Sequence, residues 1–230
     1  MKVIKGNIFN SKCQTIVNTV NCFGVMGAGL ALECKYRYPE MNEKYKAICN
    51  QKKLNIGQLY LYKSSSRWIL NFPTKDHWKF PSKLEYLEKG LEKFVTTYEE
   101  KGIKSIAFPM LGAQNGGLSE EESLELMENY LLKVTIPVEI YSFLPDSTDD
   151  IFPSLKLAFL NQDKSELKKV IGISTKQIEI ILASIKSNSI SNMIGLQKLR
   201  GVGEKAIEKC YKYATSENVN KIQTHLFNND

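Results

Sequence analysis

A chain of 230 residues, 43% of them apolar, fits one packed domain with a small appendage, and no run reaches the ~18 apolar residues that span a membrane. The opening "MKVIKGNIFN" lacks the apolar stretch of a secretory signal, so the expectation is a soluble, cytoplasmic protein. The net charge of +6 is mild and uneven, because residues from Asp150 on hold 12 Lys/Arg against 8 Asp/Glu, which suits weak polyanion contact but is no polybasic arm.

In chain order the first ~145 residues alternate strand and helix signals. "MKVI" and "TIVNTV" read as strands, and "NCFGVMGAGLALECK" then leads into a helix predicted to end at Pro39. "GQLYLYK" and "WILNFP" follow as strands. "SKLEYLEKGLEKFVTTYEEKG" reads as a helix, with Ser82 and Glu85 at capping-box spacing and a stop at Gly102. "SIAFPM" is the next strand, "SEEESLELMENYLLK" a helix with Ser119 and Glu122 as its capping box, and "VEIYSF" the last strand. Several strands are near-continuous apolar runs, as strands covered on both faces are. The pattern predicts an α/β layered sheet, with ligands at the carboxyl ends of its strands. A Pro/Asp/Ser-rich stretch, "LPDSTDDIFPS", marks a boundary, and beyond it only helical periodicity remains. The expected domains are therefore 1–147 and a small all-helical unit, 148–230.

Five scattered cysteines (Cys13, Cys22, Cys34, Cys49, Cys210) form no CxxC pair, so zinc is not expected. A catalytic cysteine would have only His77 or His225 as its base.

Two loops carry the anion-binding signal. Gly24, Gly27 and Gly29 follow one strand and open a helix, in neither the G-x-G-x-x-G nor the G-x-x-x-x-G-K-[ST] spacing. No Lys or Arg occurs between Lys12 and Lys35, so backbone amides and the helix N-terminus must meet the anion. "FPMLGAQNGGLSEEE" repeats the design after another strand with Gly112, Gly116 and Gly117. Two such cradles at one sheet edge suit a diphosphate.

"VIKGNIF", "IVNTVNCFGVMGAGLAL", "YPEM", "NFPTKDHWKFPS" and "LGAQNGGL" occur in the order found in macrodomains, the ADP-ribose-binding fold, and the chain resembles the DNA ADP-ribosyl glycohydrolase antitoxin group within it over residues 1–145. The resemblance implies a three-layer α/β/α domain with a mixed sheet. It places the diphosphate between a first loop of Gly24, Val25, Met26, Gly27, Ala28 and Gly29 and a second of Leu111, Gly112, Ala113, Gln114, Asn115, Gly116, Gly117 and Leu118. It sets the distal ribose by Asn21, with Asn18 and Thr74 also in the site. Asn7 stands where many macrodomains have an aspartate touching the adenine, beside the Ile8 backbone.

Lys75, in "NFPTKDHWKFPS", matches the lysine assigned to catalysis in the thymidine-linked hydrolases, with Asn21 as its companion. As a neutral amine it could attack C1″ of the distal ribose or the opened sugar; as a cation it could stabilise or protonate the departing base. Related lysine-dependent hydrolases carry an aspartate in the second loop, and here no carboxylate lies between Gly112 and Leu118. His77 reads as a base, or as a ring that orients the loop or stacks on a substrate base, and Trp78 with Lys79 as a platform for single-stranded DNA.

In the tail, "SNMIGLQKLRGVGEKAIEKCYKYA" resembles a helix-hairpin-helix, in which the turn at Gly201 and Gly203 and the nearby Lys205 would hold a DNA phosphate. "ELKKVIGISTKQIEIILASI" reads as a fainter copy. The tail is too short for the toxin-gripping domain of better-known antitoxins.

The resemblance thus implies a hydrolase acting on ADP-ribosylated single-stranded DNA, with ADP-ribose as product, no metal or redox cofactor, and a cognate DNA ADP-ribosyltransferase toxin as the partner such antitoxins have. A non-catalytic ADP-ribose-binding module and a hydrolase of ADP-ribose esters on protein carboxylates remain the alternatives.

Overall fold

The computed structural model describes residues 1–216. They fall in two compact units, Met1–Leu144 and the described residues from Pro145 on; His225 and the end of the expected helical domain lie outside the described residues.

In the first unit β1 (Lys2–Gly6), β2 (Thr15–Asn21), β3 (Tyr60–Lys63), β4 (Trp68–Lys75), β5 (Ile106–Pro109) and β6 (Val138–Phe143) form one sheet in the order β1-β6-β5-β2-β4-β3. All neighbours run parallel except β3, which pairs antiparallel with β4. The mixed sheet is covered on both faces, which is why its central strands read as apolar runs.

Alternation along the strands sorts the core into two layers. Val17, Leu70, Phe72, Ile106, Phe108 and Ile140 meet Leu87, Leu91 and Phe94 of α3 (Leu84–Thr97) and Met127 and Leu131 of α4 (Glu120–Leu131). On the other face Ile16, Val20, Ile69 and Ala107 meet Cys34 of α1 (Gly29–Arg37) and Met41, Tyr45 and Cys49 of α2 (Pro39–Asn50). The arrangement is the expected three-layer α/β/α sandwich.

Three helix details differ from the sequence expectation or refine it. Pro39 does end α1, but it also occupies the first position of α2, where its missing N–H is no loss, so the chain turns directly into a second, unanticipated helix. Ser82 does not cap α3. The cap residue is Lys83, without a side-chain bond, because Ser82 is buried against the loop after β5, its N–H donating to the Gly116 carbonyl at 2.8 Å. Gly102 does stop the chain after α3. With φ of +75° it closes a Schellman turn, in which the Ile103 N–H reaches the Tyr98 carbonyl and the Gly102 N–H reaches that of Glu99. The Ser119/Glu122 capping box forms as read.

α3 approaches β4 so closely at Gly90 that a Cβ there would lie 2.2 Å from the fully buried Phe72 ring. Gly90→Ala is therefore expected to destabilise the protein by about 1–3 kcal/mol, read as a lower denaturant midpoint at unchanged slope. An unchanged midpoint would mean that the helix slides freely over the sheet.

The second unit is helical: α5 (Phe152–Asn161), α6 (Lys164–Ile171), α7 (Thr175–Lys186) and α8 (Glu204–Ala214). Buried Asp149 staples it, accepting from the Ile151 and Phe152 N–H groups and from the Met193 N–H at 2.6 Å. The stretch read as the fainter copy is a full helix–turn–helix, α6 and α7 joined through Gly172 at φ +77°. The stretch read as the main motif is less regular. Its first arm is a 3-10 turn, Met193–Lys198, held by Asn192, which accepts from the Gly195 N–H; Gly195 itself packs against Ile190 too closely for a Cβ to fit freely. That arm is a correction to the expected helix, while its turn at Gly201 and Gly203 and the helix behind it stand as read. Gly201, Gly203 and Lys205 are all exposed.

Candidate active site

Three adjacent parallel strands, β5, β2 and β4, point their carboxyl ends to one edge. β2 delivers the first glycine loop, β5 the second, and β4 delivers Lys75. Beyond Val20 the β2–β4 register shifts, so that Asn21 faces Lys75 while Val20 faces Pro73. This irregularity skips Thr74, which is buried, and swings Lys75 to the end of β2. Pro73 lies past the last β3 pairing at Asn71, so its missing N–H costs nothing on the β3 side.

Lys75 ties both loops together. Its carbonyl accepts from the Cys22 N–H at 3.0 Å, holding the start of the first loop, and its Nζ donates to the Asn115 carbonyl of the second loop at 2.5 Å. Burial lowers the Lys75 pKa from the ordinary lysine value, with no charge partner contributing.

Asn21 builds the first loop. Its Nδ2 donates to the Val25 carbonyl at 2.6 Å, and its Oδ1 accepts from the Phe23 and Val25 N–H groups. Tyr45 of α2 locks the turn from below, its hydroxyl donating to the Asn21 carbonyl at 2.6 Å. The loop leaves Gly27 and Ala28 exposed and buries Met26 beneath them.

The second loop is a 3-10 turn, Gln114–Gly116, closed by Gly116 N–H to the Ala113 carbonyl and Leu118 N–H to the Gly112 carbonyl. Gly112 sits at φ +65°, where a Cβ would collide with Leu118. The two loops meet: a Cβ on Gly29, itself at φ +54°, would lie 2.7 Å from the Asn115 amide nitrogen. Among the described residues, the backbone N–H groups of Gly27, Ala28, Gln114 and Asn115 donate to no protein acceptor. Facing amides and the α1 N-terminus make this edge suited to an anion.

The Macro domain family pattern matches residues 17–127. The solved macrodomain of Mycobacterium tuberculosis DarG superposes with a TM-score of 0.59 at 36% identity, covering 61% of this chain and 95% of that one. The chain belongs to the macrodomain family. This macrodomain chain is also similar to the DNA ADP-ribosyl glycohydrolase of Thermus aquaticus, 36% identical over 174 residues, which is 70% of this chain and 48% of that protein. A structure of Thermosipho africanus DarTG in complex with ADP-ribose matches at 39% identity and a TM-score of 0.59, over 62% of this chain and 42% of that one. The chain thus spans about half the length of the curated relative it matches.

Within the macrodomain, Lys75, Asn21, the Gly24–Gly29 loop and the Leu111–Leu118 loop come together. Other expected site residues lie further back. Asn18 is fully buried in mid-strand, its amide donating to Asn71 Oδ1 at 2.9 Å, so it supports the loop from beneath, by way of Met26, and does not reach the surface. Asn7 spends its side-chain oxygen on the Phe9 N–H, capping the 3-10 turn Ile8–Asn10 after β1. Free thiols are poor nucleophiles here, since burial pushes Cys22 and Cys210 up to about 12 and raises Cys13, Cys34 and Cys49 as well. Among the described residues no cluster of three or more His, Cys, Asp or Glu forms a metal site, and no helix is long and apolar enough to cross a membrane.

Sequence reading missed Tyr45, Ser82, Phe23 and Phe80. Tyr45 sits on the unanticipated helix, and Ser82 is concealed as a cap. Phe23 and Phe80 lie inside the quoted motifs, one on the first glycine loop and one five residues past Lys75.

Proposed function

We propose that the chain is an ADP-ribosyl hydrolase that releases ADP-ribose from thymidine-linked ADP-ribosylated single-stranded DNA. The observation carrying this reading is Lys75, whose carbonyl holds one anion loop and whose amine holds the other, so that the amine stands between the two. The name DNA ADP-ribosyl glycohydrolase borne by the Thermus aquaticus relative, and the ADP-ribose held by the Thermosipho africanus DarTG structure, support it.

The diphosphate is assigned to the unpaired N–H groups of Gly27, Ala28, Gln114 and Asn115, and the distal ribose to the space beside Asn21, which brings C1″ toward Lys75. A desolvated amine is neutral over a wider pH range than a free lysine and can attack. Its lone pair forms a bond to C1″ as the glycosidic C–N bond breaks; the base leaves with that electron pair and takes up a proton. Water then releases ADP-ribose and restores the amine. The step needs neither a metal nor a redox cofactor. The second loop lacks a carboxylate, so the lysine works with backbone groups and the Asn21-built loop.

His77, Trp78 and Lys79 are assigned to the DNA strand near the site, and the exposed turn of Gly201, Gly203 and Lys205 to a DNA phosphate. Removal of ADP-ribose from DNA implies an enzyme that attaches it, so the partner is a DNA ADP-ribosyltransferase toxin, and the chain is a cytoplasmic antitoxin or DNA-repair enzyme.

The test is incubation with an ADP-ribosylated single-stranded oligonucleotide, with release of ADP-ribose and recovery of the unmodified strand as the expected result. Binding without release would leave only a binding module, and release from protein carboxylate esters alone would move the substrate to protein. For the tail, Lys205→Ala should lower the salt slope of DNA binding by about one unit; an unchanged slope removes the hairpin from the DNA contact.

A further inference from the structure

Beside Lys75 the surface carries an aromatic patch that the ADP-ribose chemistry does not use. The His77 ring is its hub, 4.4 Å from Phe23, 5.7 Å and nearly parallel to Trp78, and 5.5 Å from Phe80. The outer three are open to solvent: Phe23 is 55% exposed, Trp78 46% and Phe80 64%. Single exposed apolar side chains are ordinary, whereas contiguous large rings mark an interaction surface. The patch is built, not frayed, since the Lys79 N–H donates to His77 Nδ1 and the Phe80 N–H to the His77 carbonyl.

Charge identifies the occupant. Lys79 lies 5.2 Å over the Trp78 ring, and Lys83 lies over Tyr86 at the start of α3. From Lys75 to Lys83 there are three lysines and one carboxylate, Asp76. Flat, exposed π-faces interleaved with cations match a ligand that alternates planar rings with anionic phosphates. Single-stranded nucleic acid does so, and a duplex hides its base faces.

We propose that Phe23, His77, Trp78 and Phe80 form a stacking platform for the nucleotides that flank the modified one, making the protein selective for single-stranded oligonucleotides over modified nucleoside and over duplex. The identity of the flanked nucleotide rests on the proposed function; the stacking itself does not. Phe23 lies on the first glycine loop, two residues past Asn21, and His77 lies two past Lys75, so the platform is continuous with the rim of the site.

The test uses the full chain with two readouts. First, an unmodified single-stranded oligothymidylate is titrated while tryptophan fluorescence is followed, with the same sequence as duplex beside it. Second, KM and kcat are measured on an ADP-ribosylated oligonucleotide and on ADP-ribosyl-thymidine. The single strand is expected to bind more tightly than the duplex. Phe80→Ala, at a mostly exposed position, should weaken that binding about 10-fold and raise KM for the oligonucleotide alike, with kcat and nucleoside turnover unchanged; Phe80→Tyr should restore both. Equal affinity for duplex and single strand, or an unaffected Phe80→Ala, overturns the platform even if turnover is normal. Stacking that persists without turnover of either substrate overturns the proposed hydrolase and leaves the platform standing.

Discussion

Lys75→Ala is expected to slow release of ADP-ribose from a modified oligonucleotide by at least about 10³-fold while leaving the affinity for free ADP-ribose within about threefold. The asymmetry follows from geometry. What Lys75 contributes to loop architecture is partly its backbone carbonyl, which alanine keeps and which holds the Cys22 N–H. What alanine removes is the amine, and with it one hydrogen bond to the Asn115 carbonyl on an exposed loop. Stability should barely change. Because burial lowers the Lys75 pKa, the folded state carries a small cost for the charged amine at neutral pH, and this cost fades as pH rises through the folded and then the unfolded lysine pKa. The variant is relieved of it, which offsets the lost hydrogen bond. The pH profile gives the same assignment independently. If the neutral amine attacks, kcat rises with pH and levels off at a pKa below that of free lysine. In that case the sugar bound through C1″ can open to an imine on the lysine, and borohydride should trap protein-bound ADP-ribose in the wild type only. A rate that falls with rising pH would instead assign the lysine to stabilising the departing base as a cation. Normal release by Lys75→Ala would remove it from catalysis altogether.

The second large effect is expected at Asn21, and there binding should suffer along with rate. Asn21→Ala, at a buried side chain, deletes the donor to the Val25 carbonyl and the acceptor of the Phe23 and Val25 N–H groups. Losing three bonds to half-buried loop backbone costs about 1–3 kcal/mol and lets the loop depart from its binding shape. Affinity for ADP-ribose should fall about 10- to 100-fold by calorimetry. Tyr45→Phe, which removes the hydroxyl bond to the Asn21 carbonyl, should show a smaller loss in the same direction. If Asn21→Ala bound ADP-ribose as well as wild type but failed to release it, Asn21 would be a reacting group and not the builder of the loop.

Most of the frame was legible because it rests on local rules. Six strands, the Ser119 capping box, the stop at Gly102 and the described helices after Pro145 follow from periodicity and cap chemistry, which act within one turn or one strand. The glycine loops and Lys75 were legible as motifs. What failed locally failed for a tertiary reason. Ser82 has the spacing of a cap, but its burial against Gly116 outweighs one capping bond. Pro39 looked like an end and is also a beginning, because a proline that closes one helix fits the first turn of the next equally well.

By itself the amino-acid sequence determined which loops are built for an anion, through glycines, absent cations and helix starts, while the family resemblance singled out Lys75. Only the tertiary structure decided how they act together. The strand order sets β5, β2 and β4 side by side, the register shift after Val20 brings Lys75 opposite Asn21, and α2 places Tyr45 under the turn. The same folding gathers Phe23 and Phe80, 57 positions apart, around one imidazole. Distances between residues remote in the chain are set by sheet pairing and helix docking, and these depend on the summed burial of the whole core, which no short motif encodes.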